Sequence, residues 1–319
     1  MVIIMTESEK LIRRSKRKSS ERFSSLRFYT TPGDHIFRVF TYFFCIISAI
    51  LIMIPLIFII AASFSTPQAL LSAQVFLWPV DFNLEGYIRV FQHNMLMRSF
   101  WNSMMYTAVG TTINLVMTLL AAYPLSRKDL RAGPSVMLLF VFTMLFNGGL
   151  IPTYMLIFNL GMIDTFWVMV IPGAIAVWNL IITRTYFRHT IPDEMLESAT
   201  IDGCNDYMFL LKFAIPLAAP IIAVNVLLYA VGHWNAFFPA LLYLRTSTMF
   251  PLQLILREIL ILDAMPGMTV DIREMVEAQE MRHLLQYSTI VIGTIPVMLL
   301  YPFIQRYFVK GIMIGAVKG

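Results

Sequence analysis

Long stretches of this chain carry almost no ionisable side chain, and short polar stretches separate them. Between Arg38 and Asp81 no Asp, Glu, Lys or Arg occurs, and the apolar part of that interval predicts a helix over about residues 39–63. The same reading predicts helices over about 102–125, 134–158, 165–184, 216–243 and 284–305. Each reaches the roughly 20 apolar residues that a helix rising about 1.5 Å per residue needs to cross a hydrocarbon layer about 30 Å thick. The expected fold class is therefore all-α: a polytopic membrane protein with about six transmembrane helices. Residues 250–262 are also apolar, but they are too few to cross, and Arg257 with Glu258 would sit unpaired in lipid. They are assigned to a long external loop, 245–283, with a short helix followed by the acidic run Asp271, Glu274, Glu277 and Glu280.

The charges between the spans orient them. Nine of the 24 Lys and Arg lie between Lys10 and Arg38. Arg127, Lys128 and Arg131, then Arg184, Arg188 and Lys212, then Arg306, Lys310 and Lys318 fall on the same side of an alternating chain. Only Arg89, Arg98, Arg245, Arg257, Arg273 and Arg282 fall on the other. Lys and Arg are retained on the cytoplasmic side, so both termini are expected there. This gives a basic cytoplasmic segment, 1–36, a transmembrane domain, 37–308, an inner loop at 189–212, and a cytoplasmic tail, 309–319.

Composition agrees. Of 319 residues 58% are hydrophobic and 13% charged, against about 25% charged in soluble domains. The net charge of +5 is concentrated before the first span, which fits a juxtamembrane segment and excludes a nucleic-acid groove. Cys45 and Cys204 lie in unlike contexts and make neither a disulfide framework nor a metal motif. No cleavable leader is evident before residue 35, so the first span is expected to act as its own signal.

The inner loop holds the most informative stretch, H-T-I-P-D-E-M-L-E-S-A-T-I-D-G from His189 to Gly203. It predicts a short surface helix, capped by Thr190, with Pro192 in its first turn and Asp193 and Glu194 at the positive end of the dipole. Gly203 supplies a left-handed terminator. Met195 and Leu196 offer an apolar anchor, while Ser198, Ala199 and Gly203 leave room for another protein. An ordinary capped loop helix fits the same residues.

E-S-A-T-I-D-G from Glu197, followed by Ile215 and Pro216, resembles the cytoplasmic loop signature of ABC importer permeases, with Ser198 in place of the usual first alanine. N-S at Asn102 and Ser103, A-Y-P-L-S-R at Ala122 to Arg127, G-H-W-N at Gly232 to Asn235 and the ending K-G-I-M-I-G-A-V-K-G resemble the carbohydrate-uptake branch of that family, which contains the smaller maltose permease subunit. The resemblance covers nearly the whole chain after residue 36. It implies a type I importer transmembrane domain in the cell membrane of a prokaryote. It also implies a second permease subunit, two cytoplasmic ATPase subunits that use ATP and Mg, an extracytoplasmic solute-binding protein, and a carbohydrate cargo. On this resemblance Glu197, Ser198, Ala199, Asp202, Gly203, Ile215 and Pro216 couple the chain to its ATPases. Gly315, Lys318 and Gly319 of the tail reach toward them, and the loop 245–283 meets the binding protein.

The fifth span carries Asn225, Tyr229, His233, Trp234 and Asn235. The first three share a helical face and are candidates for the substrate path. Hydrogen bonds between helices, with Trp234 at the outer headgroup level, are the competing reading, and Asn114, Asn147 and Asn179 invite both. Pro55, Pro172 and Pro296 mark possible kinks. No phosphate-binding G-x-x-x-x-G-K-[ST] occurs, and no His or Cys cluster points to a metal or cofactor in this chain. Gly311 and Gly315 fall in the tail and do not make a dimer motif. The spans lack the convergent ionisable groups of a membrane enzyme. The main alternative is an ABC permease for a non-sugar solute such as an amino acid or peptide; a channel or scaffold would not need the inner-loop signature.

Overall fold

The computed structural model describes residues 32–262, 285–302 and 305, and among them every regular element is helical. The basic segment before Pro32, the acidic run from Asp271 to Glu280 and the tail with Gly311, Gly315, Lys318 and Gly319 lie outside the described residues. In chain order the helices begin with α1 (Pro32–Ser63), α2 (Pro67–Leu71), α3 (Glu85–Gln92), α4 (Asn94–Ser126), α5 (Gly133–Leu145) and α6 (Leu150–Asn159). They continue with α7 (Val177–Thr190), α8 (Asp193–Ile201), α9 (Asp206–Leu217), α10 (Ala219–Trp234), α11 (Phe238–Tyr243), α12 (Leu252–Leu262) and α13 (Leu285–Pro302).

The chain divides into two compact units at Ile57 and Phe58. The described part of the first is residues 32–57 of α1, whose large apolar side chains are mostly exposed on every side, as a helix bathed in lipid requires. The second unit is built on α4, 33 residues and about 50 Å long, with α7 and α10 packed along it. Its charge-free stretch runs from Arg98 to Arg127, with Asn114 near the middle.

Three described helices, in α1, α4 and α13, are long and apolar enough to cross a membrane unaided. The expected third span is instead a pair, α5 and α6, bent by 113°. Asn147-Gly148-Gly149 separates them, Gly149 adopts φ 88°, and the Asn147 side chain folds onto the Gly149 N–H at 3.0 Å. The fifth begins in α9, bends by 81° at Ala218 and continues as α10. Pro216 and Pro220 flank that bend and remove two backbone donors from the ladder. The fourth, expected over 165–184, is not one helix. A tight turn at Phe166–Met169 gives way to irregular backbone, and α7 starts only at Val177. Pro172 has no N–H to give and Gly173 takes φ 75°. Pro55 and Pro296, by contrast, lie within helices that continue past them.

A polar ladder holds this irregular stretch. Asn225, Tyr229 and His233, spaced by four, line one face of α10. His233 Nε2 meets Asn114 Oδ1 at 2.9 Å, and the Asn114 amide donates to the Gly173 carbonyl at 3.1 Å. Tyr229 Oη pairs with Thr118 Oγ1 at 2.7 Å and accepts the Ala176 N–H at 3.2 Å. Asn225 donates to Thr183 Oγ1 at 2.7 Å, and Thr183 donates to the Asn179 carbonyl at 2.6 Å. Thus α4 and α10 supply partners that a continuous helix would have supplied to itself. Gly110 makes the top rung possible, because a Cβ there would lie 2.5 Å from the His233 ring.

At the Asn94 end, polar side chains of α4 grip a distant strip of backbone. Asn102 donates to the Thr248 and Phe250 carbonyls at 2.9 and 3.0 Å, and Tyr106 to the Met249 carbonyl at 2.8 Å. Ser103 Oγ accepts the Leu252 N–H at 2.8 Å and so caps α12 from another helix. Below that cap Leu252, Leu254 and Ile255 are buried in the core. Nearby, Asp164 accepts the N–H groups of Arg245 and Thr246 at 2.8 and 3.0 Å and the Thr246 hydroxyl at 2.6 Å. The Thr246 hydroxyl, then those N–H groups, hold the Asp164 carboxyl below its ordinary range.

Gly110→Ala is expected to cost about 1–3 kcal/mol by overpacking. It should lower the melting temperature of the detergent-solubilised protein, whereas Gly232→Ala, whose Cβ would meet nothing within 4 Å, should not. Because the folded Asp164 carboxyl titrates low, its stabilisation is present above the unfolded value of about 3.9 and is lost as pH falls through the lower folded one. Melting curves of wild type and Asp164→Asn should therefore differ by a constant offset from pH 5 to 8 and converge only in acid below about pH 4.

Candidate functional site: the loop helix and its seat

The signature stretch forms α8, nine residues at the Ser126 end of α4. Its start departs from expectation: Thr190 is the last residue of α7, and the cap position falls to extended Pro192, with no side-chain cap bond. The chain turns so tightly between the two helices that Thr190 never leaves the first. Asp193 does lie in the first turn, where it pairs with Lys128 at 2.5 Å. Both partners are largely exposed, so that pair contributes little.

The end of α8 follows expectation closely. Gly203 takes φ 81°, its N–H reaches the Thr200 carbonyl at 3.0 Å, and the Cys204 N–H reaches back to Ala199 at 2.9 Å. This paired closure is the Schellman motif, and a residue without Cβ suits its left-handed turn. Asn205 then caps α9 by accepting the Met208 N–H at 2.8 Å.

Leu196 and Ala199, three apart, form the inward stripe of α8 and join a core with Leu119, Ala122, Tyr123, Phe187, Phe209 and Ala214. Met195, expected to share the anchoring, is exposed instead, since a single-turn stripe admits only one of two consecutive residues. Ala199 is small because its own chain closes over it. What α8 presents outward is Glu194, Glu197, Ser198 and Ile201, with Asp202 and Gly203 beyond. Ile201 is 86% exposed, an apolar addition to this face that the motif did not flag. Its signal was available: Ile201 is apolar yet falls off the Leu196–Ala199 stripe.

The seat beneath α8 comes from the A-Y-P-L-S-R stretch. Ala122, Tyr123 and Leu125 are buried in the last turns of α4, and Tyr123 meets Phe187 edge-on at 6.1 Å. Arg184 donates to the Leu125 carbonyl at 2.8 Å, and Arg127 forks onto Asp129 with both bonds at 3.1 Å. That guanidinium holds the Asp129 carboxyl below its usual range. A cavity of about 200 Å³ remains between this seat and α8, lined by Tyr123, Arg127, Lys128, Arg188, Asp193 and Glu194 among others. From α8 the chain runs through α9, where a wide turn over Leu210–Ala214 precedes part-buried Ile215 and exposed Pro216, and then into α10. Motion of α8 therefore has a direct covalent route to the polar ladder.

Of the five residues named for a substrate path, Asn225 and Tyr229 are buried, and His233 is bonded to Asn114. Trp234 is 3% exposed, donates to the Gly293 carbonyl at 2.9 Å and stacks edge-on against Phe100. The indole packs in a cluster with Val90, Leu96 and Leu252 at the Asn94 end of α4, enclosed by protein. Asn235 ends α10 and is exposed. No cluster of three metal-ligating side chains occurs among the described residues.

Residues 130–314 match the family described as "Binding-protein-dependent transport system inner membrane component". The chain is 40% identical over 287 residues to the polygalacturonan/rhamnogalacturonan transport system permease protein YtcP of Bacillus subtilis, covering 90% of this chain and 99% of that one. It is 38% identical over 291 residues to protein LplC of the same organism, covering 91% and 98%. Among solved structures, a chain of a bacterial ABC transporter involved in the import of the acidic polysaccharide alginate superposes with a TM-score of 0.79 at 33% identity, over 88% of this chain and 99% of that one. A chain of a bacterial alginate ABC transporter, in complex with its alginate pentasaccharide-bound periplasmic protein, shares the fold at 13% identity and a TM-score of 0.53, covering 86% and 96%. The chain thus belongs to the binding-protein-dependent inner membrane components, the permease subunits of ABC importers.

Proposed function

We propose that this permease passes an oligosaccharide across the membrane, with fragments of an acidic polysaccharide as the first cargo to test. The relatives support that class: one is named for polygalacturonan and rhamnogalacturonan transport and another for alginate import. The observation that carries the coupling half of the reading is the outward face of α8. It is a capped helix seated on Leu196 and Ala199, ending in a side-chain-free turn at Gly203 with open space around it.

In this reading a second permease and two ATPase subunits complete the importer, and the ATPases supply ATP and Mg chemistry that this chain lacks. Glu197, Ser198, Asp202 and Gly203, with Ile201, meet an ATPase surface. Ala199, Ile215 and Pro216 serve the same coupling from within, by seating α8 and shaping its link to α10. Both termini and α8 face the cytoplasm, a placement the Lys and Arg distribution supports, and the tail with Gly315, Lys318 and Gly319 joins the same partners. The loop 245–283 meets a solute-binding protein on the opposite side. Asn225, Tyr229 and His233 support the path from behind, each bonded into the ladder, whereas Asn235, exposed and accepting from Gln253 at 3.5 Å, faces it.

Gly203→Asp should abolish uptake in proteoliposomes, because a charged branch fills the space an ATPase needs. Gly203→Ala should retain most uptake while losing about 1–2 kcal/mol to left-handed strain. Normal uptake and normal copurification of ATPases by Gly203→Asp would sink the docking assignment. Isothermal titration of the cognate binding protein should detect uronic-acid oligosaccharides; binding of amino acids or peptides alone would refute the carbohydrate assignment.

A further inference from the structure

The irregular backbone between Met169 and Val177 lies at a depth its neighbours define. Asn114, whose amide bonds the Gly173 carbonyl at 3.1 Å, stands near the middle of the charge-free stretch of α4. The 12 residues from Asn114 to Ser126 rise about 18 Å, against about 15 Å for half the hydrocarbon layer. Gly173 is therefore close to the bilayer midplane.

One edge of this stretch is open. Val168, Met169 and Val170 are buried, but Ile171 is 45% exposed, and Pro172 and Gly173 are exposed with it. The bonds that close the stretch run from the Ile171 N–H to Trp167, from the Ala174 N–H to Ile171, from Asn114 to Gly173 and from the Ala176 N–H to Tyr229. They leave the Pro172 and Ala174 carbonyls and the Gly173 N–H without a partner among the described residues. Lipid offers such groups nothing, so irregular backbone persists at this depth only against protein or along water.

We propose that the Ile171–Ala174 edge lines the aqueous passage and offers backbone hydrogen bonds to the cargo at mid-membrane. The Pro172 and Ala174 carbonyls accept from sugar hydroxyls, and the Gly173 N–H donates to a hydroxyl or a carboxylate. Gly173 is exposed, with φ 75° and no side chain to hold a sugar ring away. Three scattered peptide groups bind weakly and without regard to linkage, which suits a passage that must release what it meets. The ligand class rests on the carbohydrate reading above; the lining itself does not.

The test uses the assembled importer in proteoliposomes, with Cys45→Ala and Cys204→Ala removing the native thiols. Ile171→Cys and Ala174→Cys, which spare the strained glycine, are treated with a charged, membrane-impermeant methanethiosulfonate. Leu138→Cys on α5, 68% exposed, is the reference. Only a hydrated thiol ionises and reacts, so Ile171→Cys and Ala174→Cys should label roughly tenfold faster than Leu138→Cys. Labelling should stop uptake, and a uronic-acid oligosaccharide with its binding protein should slow it. Rates no faster than the reference overturn the proposal, since the edge is then sealed by the partner permease or lipid. Fast labelling that stops uptake of a non-carbohydrate solute, with no protection by any oligosaccharide, keeps the lining and removes both the hydroxyl contacts and the carbohydrate reading.

Discussion

A peptide group in hydrocarbon must find its hydrogen bond within the protein or in trapped water, and this bundle is arranged around that requirement. Where the chain stays helical the demand is met locally, and α1 and α4 need nothing more. Where it breaks, at the stretch before α7, partners arrive from elsewhere: Asn114 from α4 and Tyr229 from α10. The bonds also fix how close the helices stand. Gly110 is what lets His233 reach Asn114, so a missing Cβ and a polar pair are two parts of one contact.

The end that carries α8 obeys a different logic. There the side chains that matter are small or apolar, and they divide by direction. Leu196 and Ala199 face in and fix the helix to the core, whereas Glu197, Ser198 and Ile201 face out. A family signature of this kind mixes residues that hold the helix with residues it offers. Substitution at Ala199 therefore reports on packing and substitution at Gly203 on approach.

The apolar runs were legible in the sequence because lipid tolerates few charges, so intervals between Lys, Arg, Asp and Glu marked where helices lie. Their continuity was not legible. Average hydropathy reports apolar content and is blind to backbone angles, so the stretch over 165–184 looked like any other. Proline alone did not discriminate: of the three named for kinks, Pro55 and Pro296 lie in helices that continue past them, whereas Pro172, followed by Gly173 at φ 75°, lies in irregular backbone. The partners of that break are distant in sequence, as is the Leu252 N–H that Ser103 caps 149 positions away. At α8 the terminating glycine could be read from the chain, because it depends on local backbone. The cap at Thr190 could not, since where α7 stopped depended on packing.

The length of α4 carries a further consequence. It is gripped at one extremity by the 248–252 strip and at the other by Arg184 on the Leu125 carbonyl. A stiff strut held at both tips and laced to its neighbours near the centre behaves as a seesaw. Tilting it would swing the tips in opposite directions, so a displacement at the α8 end would reach the 248–252 strip as a rigid-body motion that needs no unfolding of any helix.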